Sequence, residues 1–166
     1  MGRLEVICGS MFSGKTEELI RRIQELNNTN LKYKVFKPEI DKRNVENKIL
    51  SHSKKSIDAI NIKNADEIIN HSIHCDVIAI DEAQFFSEDI IEVCNTLANK
   101  GIRIIIAGLD MDYKGNPFGP IPALMATAEY VTKVHAVCMR TGNLAQYSYR
   151  HTANKNQVLI LSLIHI

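Results

Sequence analysis

The chain has 166 residues, of which 45% are hydrophobic and 23% are charged, and its formal net charge at pH 7 is +1. This size and composition are typical of one soluble globular domain, and a charge so close to zero gives no indication of a nucleic-acid partner or a membrane surface. We therefore expect a small-molecule substrate. We also expect a cytoplasmic protein, because the amino terminus lacks an apolar export segment and the four cysteines form no Cys-x-x-Cys pair.

A glycine-rich loop at residues 9–16, the phosphate loop, fits the pattern G-x-x-x-x-G-K-[ST] at every fixed position. Residues 4–8 before it predict a buried strand, and residues 16–26 after it predict a helix. Its glycines allow a tight turn whose N–H groups point at one phosphate group. We expect Lys15 to reach the terminal phosphates of a nucleotide and Thr16 to bind Mg²⁺. The predicted loop ligands are Gly9, Ser10, Met11, Phe12, Ser13, Gly14, Lys15 and Thr16.

The helix predicted after the phosphate loop is amphipathic. Leu19, Ile20 and Ile23 share one face at helical spacing, which predicts burial against a sheet. Arg21 and Arg22 fall on the outward side, and we interpret them as a solvated face.

The next part of the chain contains two short predicted strands and a helix. Residues 33–37 predict a strand, and residues 39–55 are polar and basic. We expect these latter residues to form a mobile loop that is solvated or, alternatively, contacts nucleotide. Residues 57–62 predict another strand, and Asn64 is the expected N-cap of the helix that follows.

Two adjacent carboxylates, Asp81 and Glu82, follow the apolar segment 77–80. This pattern is typical of a buried parallel strand whose carboxyl end enters an active site, so we expect both side chains near the phosphate loop. Asp81 suits Mg²⁺ binding, and Glu82, pointing the other way along the strand, could take a proton from a hydroxyl group or water. Alternatively, the pair caps the helix that follows.

The rest of the chain continues the alternation of helix and strand. Helices are predicted at residues 87–99 and 121–129, strands at residues 102–109 and 130–138, and a Gly- and Pro-rich loop at residues 110–120. Loops of this length in a compact domain are usually functional, so we place substrate contacts there. The whole pattern predicts an α/β fold with a mostly parallel sheet flanked by helices.

Four motifs together resemble those of the cytosolic type II thymidine kinases, over about the first 150 residues. They are the phosphate loop with residues 17–22, Ile80-Asp81-Glu82-Ala83-Gln84-Phe85-Phe86, Gly108-Leu109-Asp110-Met111-Asp112-Tyr113 with Pro117-Phe118-Gly119, and Ala136-Val137-Cys138-Met139. The resemblance implies a fold like that of the P-loop NTPases. It also implies transfer of the γ-phosphoryl group of ATP to the 5′-hydroxyl of thymidine or deoxyuridine, without a choice between the two.

The resemblance further implies roles for individual residues. Glu82 would be the general base and Lys15 a catalytic cation, while Thr16 and Asp81 would bind Mg²⁺. The nucleotide site would be completed by Asp81, Glu82, Ala83 and Gln84. The nucleoside would be enclosed by Met11, Phe85, Leu109 and Tyr113, and by Tyr147, Ser148 and Val158 of a C-terminal lasso. We expect a kinase domain at residues 1–135, a lasso at residues 136–166, and a homotetramer.

The sequence departs from this family pattern at two places in the lasso. Cys138 is the single thiol where the family commonly has cysteine pairs for a structural zinc, and one thiol cannot complete a tetrahedral site. His135 would face the opposite side of the predicted strand from Cys138, so we predict that the chain folds without zinc. The apolar run at residues 158–166 replaces a glycine-containing turn, and we expect the substrate lid to be incomplete.

Functions of other classes remain open at this point. Asp-Glu-Ala after a phosphate loop also suggests a nucleic-acid-stimulated ATPase or helicase, although such motors usually need a second domain and a basic track. A GTPase would carry an Asn/Thr-Lys-x-Asp motif, which the sequence lacks. A regulatory nucleotide-binding protein without catalysis is the third alternative.

Overall fold

The computed structural model describes residues 2–40, 47–50 and 56–150. In chain order the strands are β1 (Arg3–Gly9), β2 (Tyr33–Pro38), β3 (Lys48–Leu50), β4 (Ser56–Asp58), β5 (Ile60–Ile62), β6 (Val77–Ile80), β7 (Arg103–Gly108), β8 (Tyr130–Val134), β9 (Ala136–Val137) and β10 (Leu144–Ala145). The helices are α1 (Lys15–Leu26), α2 (Asp66–His71), α3 (Asp89–Asn99) and α4 (Ile121–Thr127), and a short 3-10 helix covers Ala83–Phe85.

Six strands form one parallel sheet in the order β5-β2-β6-β7-β1-β8. The predicted α/β fold with a mostly parallel sheet flanked by helices is therefore confirmed. Two antiparallel hairpins, β3–β4 and β9–β10, lie outside that sheet. Because all six strands run in one direction, the loops that follow β1, β6 and β7 emerge at the same edge.

The two faces of the sheet bury separate apolar clusters. On one face, α1 packs Leu19, Ile20 and Ile23 against the sheet, as their helical spacing predicts. On the other face, α2, α3 and α4 cover a cluster that includes Ile80 and Ile106. The central strands are covered on both faces, which accounts for their nearly continuous apolar sequences. Within the described ranges, no helix is long and apolar enough to cross a membrane.

Three details in the first half of the chain differ from the predictions. The loop predicted at residues 39–55 contains β3, whereas residues 41–46 and 51–55 lie outside the described residues. The strand predicted at residues 57–62 is divided into β4 and β5, because β4 pairs with β3 in a hairpin whereas β5 pairs with β2 in the large sheet. The N-cap of α2 is Ala65, one residue after the predicted Asn64, and the Glu67 carboxylate accepts the Asn64 N–H at 2.9 Å.

The strand predicted at residues 130–138 is also two strands. β8 ends at Val134 on the edge of the large sheet, and β9 begins a hairpin with β10. Cys138 lies in the turn of that hairpin, where its N–H donates to Asn143 O at 2.8 Å. His135 and Cys138 therefore do not share a strand, and the alternation from which we argued about zinc does not apply to them.

A buried carboxylate lies in β1, within a segment that the sequence indicated as mainly apolar. The Glu5 side chain is 6% exposed and accepts hydrogen bonds from Arg3 and Arg103, each at 2.7 Å, and from Arg22 at 2.9 Å. Burial acts to raise the pKa of Glu5, but hydrogen bonds and charges from Arg103 and Arg3 outweigh it and lower the pKa to about 2. Arg22 also donates to Thr132 at 2.8 Å, so our interpretation of Arg22 as solvated is wrong.

Candidate active site

The candidate active site lies at the carboxyl edge of the sheet, where the phosphate loop and the carboxylates after β6 meet. β7 lies between β1 and β6 in the sheet, and the loop of residues 110–120 follows it. The Thr16 hydroxyl donates to Asp81 Oδ2 at 3.0 Å. This contact joins two motifs that are far apart in the sequence.

Hydrogen bonds within the phosphate loop hold it as a turn that leads into α1. Ser13 Oγ donates to Ser10 O at 2.8 Å, and the Glu18 N–H donates to Gly14 O at 3.0 Å. Lys15 Nζ donates to Ser10 O at 2.6 Å. The ammonium group of Lys15 therefore lies across the loop, bound to one of its own carbonyl groups.

Glycine is required at the point where β1 enters the phosphate loop. Gly9 has a φ angle of +152°, and a Cβ atom on it would lie 2.2 Å from Val134 O of β8. A side chain at this position would push the neighbouring strand away. The first glycine of the motif thus serves the packing of the sheet as well as the turn.

Asp81 is a buried carboxylate of the site, with 5% of its surface exposed. Its Oδ2 accepts the Thr16 hydroxyl, and its Oδ1 accepts the Glu82 N–H at 3.0 Å. Burial and the charge of Glu82 raise the pKa of Asp81 to about 7. The oxygens of Thr16 and Asp81 are hard ligands of the kind that Mg²⁺ prefers, so these residues fit a magnesium ion.

Lys15 places one buried ammonium group among three carboxylates. Burial lowers its pKa, whereas the charges of Glu82, Asp81 and Asp110 act to raise it. Asp110 also pairs with Lys133, whose Nζ lies 2.8 Å from Asp110 Oδ2. A polyphosphate bound at the loop would add negative charge beside Lys15 and favour its charged form.

Glu82 does not continue the direction of β6. Its backbone adopts the left-handed conformation, with φ 54° and ψ 38°, which few residues other than glycine adopt. The expectation that Asp81 and Glu82 alternate along a strand is therefore wrong, because β6 ends at Ile80. The left-handed backbone of Glu82, and not strand alternation, separates the Asp81 and Glu82 side chains.

Ala83 and Gln84, which the resemblance assigned to nucleotide binding, have buried side chains. Ala83 is 0% exposed and Gln84 is 2% exposed. Gln84 Nε2 donates to Glu82 Oε2, and Gln84 Oε1 accepts the N–H of Leu109 at 3.0 Å. The Gln84 amide is thus bonded to the protein at both of its ends.

Apolar residues from three segments lie around the same edge of the sheet. The rings of Phe85 and Phe118 pack edge to face, with their centroids 5.8 Å apart. Leu109 is 8% exposed, and Met11 of the phosphate loop is 39% exposed. Phe118 was absent from our predicted site residues, although the Pro-Phe-Gly motif that contains it was recognised.

The described part of the lasso, residues 136–150, reaches the phosphate loop. The Met11 N–H donates to Ser148 Oγ at 3.0 Å, and Ser10 Oγ donates to Ala145 O at 3.4 Å. Ser148 was predicted to bind the nucleoside through the lasso. In the structure its side chain lies against the loop that was predicted to bind phosphate.

Two further lasso residues contact the loop that follows β7. The Arg150 guanidinium lies over the Tyr113 ring, 3.8 Å from its centroid. The Tyr147 ring is close to Gly115, where a Cβ atom would lie 3.1 Å from Tyr147 Cε1. Val158, the last residue predicted to bind the nucleoside, lies outside the described residues.

Comparison with known proteins gives the family to which the chain is similar. The model of the family described as "Thymidine kinase" matches residues 2–162. The thymidine kinases of Bacteroides fragilis (strain YCH46) and Bacteroides thetaiotaomicron are each 54% identical to it, with 96% of this chain and 80% of the relative covered. That of Porphyromonas gingivalis (strain W83) is 50% identical, with 96% and 78% covered.

Solved structures give more distant similarities. The Legionella pneumophila ATPase DotB matches with a TM-score of 0.48 and 16% identity over 76% of this chain and 34% of that chain. Domain III from the Thermotoga maritima replication initiation protein DnaA matches with a TM-score of 0.47 and 15% identity over 80% of this chain and 55% of that chain.

Proposed function

The chain belongs to the thymidine kinase family, and from this premise we propose that it transfers the γ-phosphoryl group of ATP to the 5′-hydroxyl of thymidine or deoxyuridine. The observation that carries the proposal is the hydrogen bond between Thr16 and Asp81, which brings the phosphate loop and the carboxylates after β6 into one site. A phosphate cradle, a magnesium-binding carboxylate and a second carboxylate are the parts that phosphoryl transfer to a hydroxyl group requires.

The phosphate loop and α1 bind the phosphates of ATP in this proposal. Their N–H groups point toward the phosphate oxygens, and Lys15 supplies positive charge where negative charge develops in the transition state. To do so, Lys15 leaves the carbonyl group of Ser10, to which it is bound at 2.6 Å. Thr16 and Asp81 would hold Mg²⁺, which would shield the phosphate charges when bound.

Glu82 acts as the general base. Its carboxylate accepts the proton of the nucleoside 5′-hydroxyl as that oxygen attacks the γ-phosphorus atom. The left-handed backbone at Glu82 supports this assignment, because strained residues of this kind persist where the surrounding structure holds them and are common at active sites.

The nucleoside base lies against the apolar residues at the same edge. Phe85 and Phe118 offer an edge-to-face ring pair for stacking, while Met11, Leu109 and Tyr113 complete the enclosure. On this side the lasso residues Tyr147 and Ser148 lie next to the loop after β7 and the phosphate loop. We assign residues 1–135 to the kinase domain and residues 136–166 to the lasso, with Val158 as a further contact.

Thymidine-dependent release of ADP tests the proposed function directly. The purified chain with ATP and Mg²⁺ is expected to produce ADP and thymidine monophosphate in equal amounts, and only when nucleoside is present. Stimulation by DNA in the absence of nucleoside would instead indicate a motor ATPase, and ATP binding without turnover would indicate a regulatory protein. Parallel reactions with deoxyuridine show which nucleoside is preferred.

Replacing Glu82 with glutamine tests the base. Glu82→Gln keeps the shape of the side chain but cannot accept the hydroxyl proton, so turnover is expected to fall by roughly two to four orders of magnitude. The dissociation constant for ATP, measured by calorimetry, is expected to stay within about threefold of the wild-type value. If ATP affinity falls together with turnover, Glu82 belongs to the magnesium site instead.

The assembly and location of the enzyme complete the proposal. The family resemblance implies a homotetramer, which light scattering after gel filtration tests directly. We place the enzyme in the cytoplasm, because its four cysteines are scattered in the sequence and form no pattern of a disulfide framework.

A further inference from the structure

Gln84 connects two parts of the active site that are far apart in the sequence. Its Nε2 donates to Glu82 Oε2, on the carboxylate that we assign as general base. Its Oε1 accepts the N–H of Leu109, 25 residues away, at 3.0 Å. Gln84 is 2% exposed, and its hydrogen bond to Leu109 is buried, whereas its bond to the half-buried Glu82 is partly buried.

The surrounding backbone holds Gln84 in this position. A Cβ atom on Gly119 would lie 2.4 Å from Gln84 O, and one on Gly108 would lie 3.0 Å from Gln84 Oε1. Gly108 is the last residue of β7, and Gly119 lies in the loop of residues 110–120. The end of β7 therefore packs closely against the side chain of Gln84 and the loop packs against its main chain, which leaves the amide little freedom to turn.

The carboxylate of Glu82 needs such support. Its backbone adopts the left-handed conformation, with φ 54°, two residues after β6 ends at Ile80. The Glu82 N–H is held separately, by Asp81 Oδ1 at 3.0 Å. The main chain and the side chain of Glu82 are thus oriented by different partners, and Gln84 is the partner of the reactive group.

We propose that Gln84 is a positioning residue, which orients the Glu82 carboxylate toward the nucleoside hydroxyl and links that orientation to the backbone of Leu109. The inference rests on the proposed kinase function and on Glu82 as its base. It differs from a role in binding nucleotide, because both ends of the buried Gln84 amide are directed at protein groups. A nucleoside that displaces Leu109 would also displace the base.

The variant Gln84→Met tests the proposal, because methionine has a similar volume but no amide. We expect kcat to fall by roughly ten- to a hundredfold, the cost of a slightly misplaced reacting group, while KM for ATP changes by less than about threefold. Gln24→Met on the exposed side of α1 is the matched control, and it is expected to leave both constants unchanged. A loss of ATP affinity parallel to the loss of kcat would identify Gln84 as a nucleotide ligand and overturn the proposal.

A double-mutant cycle with Glu82→Gln separates positioning from a general loss of structure. If Gln84 acts through the carboxylate of Glu82, then Gln84→Met lowers the residual kcat of the Glu82→Gln enzyme by less than about threefold. Losses that multiply in the double variant would show that Gln84 acts independently of the base. Gln84→Asn, whose shorter amide cannot span from Glu82 to Leu109, provides a second test if the methionine variant does not fold.

The wild-type enzyme distinguishes the two proposals. A wild-type chain without thymidine-dependent ADP release refutes the kinase function. An active wild-type chain with an equally active Gln84→Met variant refutes only the positioning role.

Discussion

Replacing Glu5 with glutamine is expected to destabilise the folded chain without touching the active site. Glu5 is the shared partner of three arginines, Arg3, Arg22 and Arg103, which approach it from β1, α1 and β7. Glutamine keeps the size of the side chain and removes its charge. Arg103, whose side chain is 23% exposed, and the more exposed Arg3 would then lose this carboxylate, whereas Arg22 would keep its pair with Glu18 at 2.8 Å. Removing one partner of a largely buried ion pair is the costly way to break it.

The pKa of Glu5 gives the size of the effect. A decrease from 4.5 to about 2 corresponds to about 3 kcal/mol of stabilisation of the folded state at neutral pH, at about 1.4 kcal/mol per pKa unit. Because the pKa is lower in the folded chain than in the unfolded chain, this stabilisation is complete above about pH 5 and is lost as the pH falls toward 2. About 1.4 kcal/mol of it is expected to remain at pH 3.

Urea unfolding followed by circular dichroism measures this prediction. The free energy of unfolding of Glu5→Gln is expected to lie about 3 kcal/mol below that of the wild type at pH 7, and the difference is expected to halve by pH 3. Glu25→Gln is the control, since Glu25 is 63% exposed and its pair with Arg21 is expected to contribute less than about 0.5 kcal/mol. A difference for Glu5→Gln below about 1 kcal/mol, or one that does not change with pH, would refute the reasoning.

Two further predictions concern the phosphate loop and zinc. Lys15→Ala is expected to lower turnover by about a hundredfold or more, because it removes a preorganised charge from the phosphate site. The control variant Lys100→Ala, at the exposed end of α3, is expected to leave turnover unchanged. Steady-state kinetics at saturating ATP measures both variants. The chain is expected to fold without zinc, because a tetrahedral zinc site needs about four cysteine or histidine ligands and Cys138 is a single thiol. Stoichiometric zinc by elemental analysis, or unfolding on addition of a strong chelator, would contradict this expectation.

Local chemistry was sufficient to predict the elements that carry the nucleotide site. The phosphate loop is recognisable because its glycines and lysine have fixed spacing, and β1 and α1 on either side of it follow from apolar patterns of different period. The apolar run before Asp81 indicated β6 for the same reason. The sheet order could be foreseen only as mostly parallel, because the pairing of strands depends on contacts between distant residues.

The predictions were wrong where the structure of a residue depends on a partner that is distant in the sequence. The position of Arg22 on α1 is compatible with a solvated face, and its burial depends on contacts with Glu5 of β1 and Thr132 of β8. β3 is three residues long and forms by pairing with β4, so its own sequence carries little periodicity. The change from β8 to β9 at residue 135 depends on a hairpin with β10, which lies beyond the local window.

The separation of the two carboxylates shows the same limit inside the active site. A strand that continued past Ile80 would place Asp81 and Glu82 on opposite faces of the sheet, with one of them away from the phosphate loop. The strand ends instead, and the left-handed backbone of Glu82 keeps both residues at the carboxyl edge. Asp81 meets the Thr16 hydroxyl while Glu82 meets the amide of Gln84, so adjacent residues have different partners. Their separate roles at the metal and the hydroxyl group would therefore depend on one backbone conformation that the neighbours of Glu82 must stabilise.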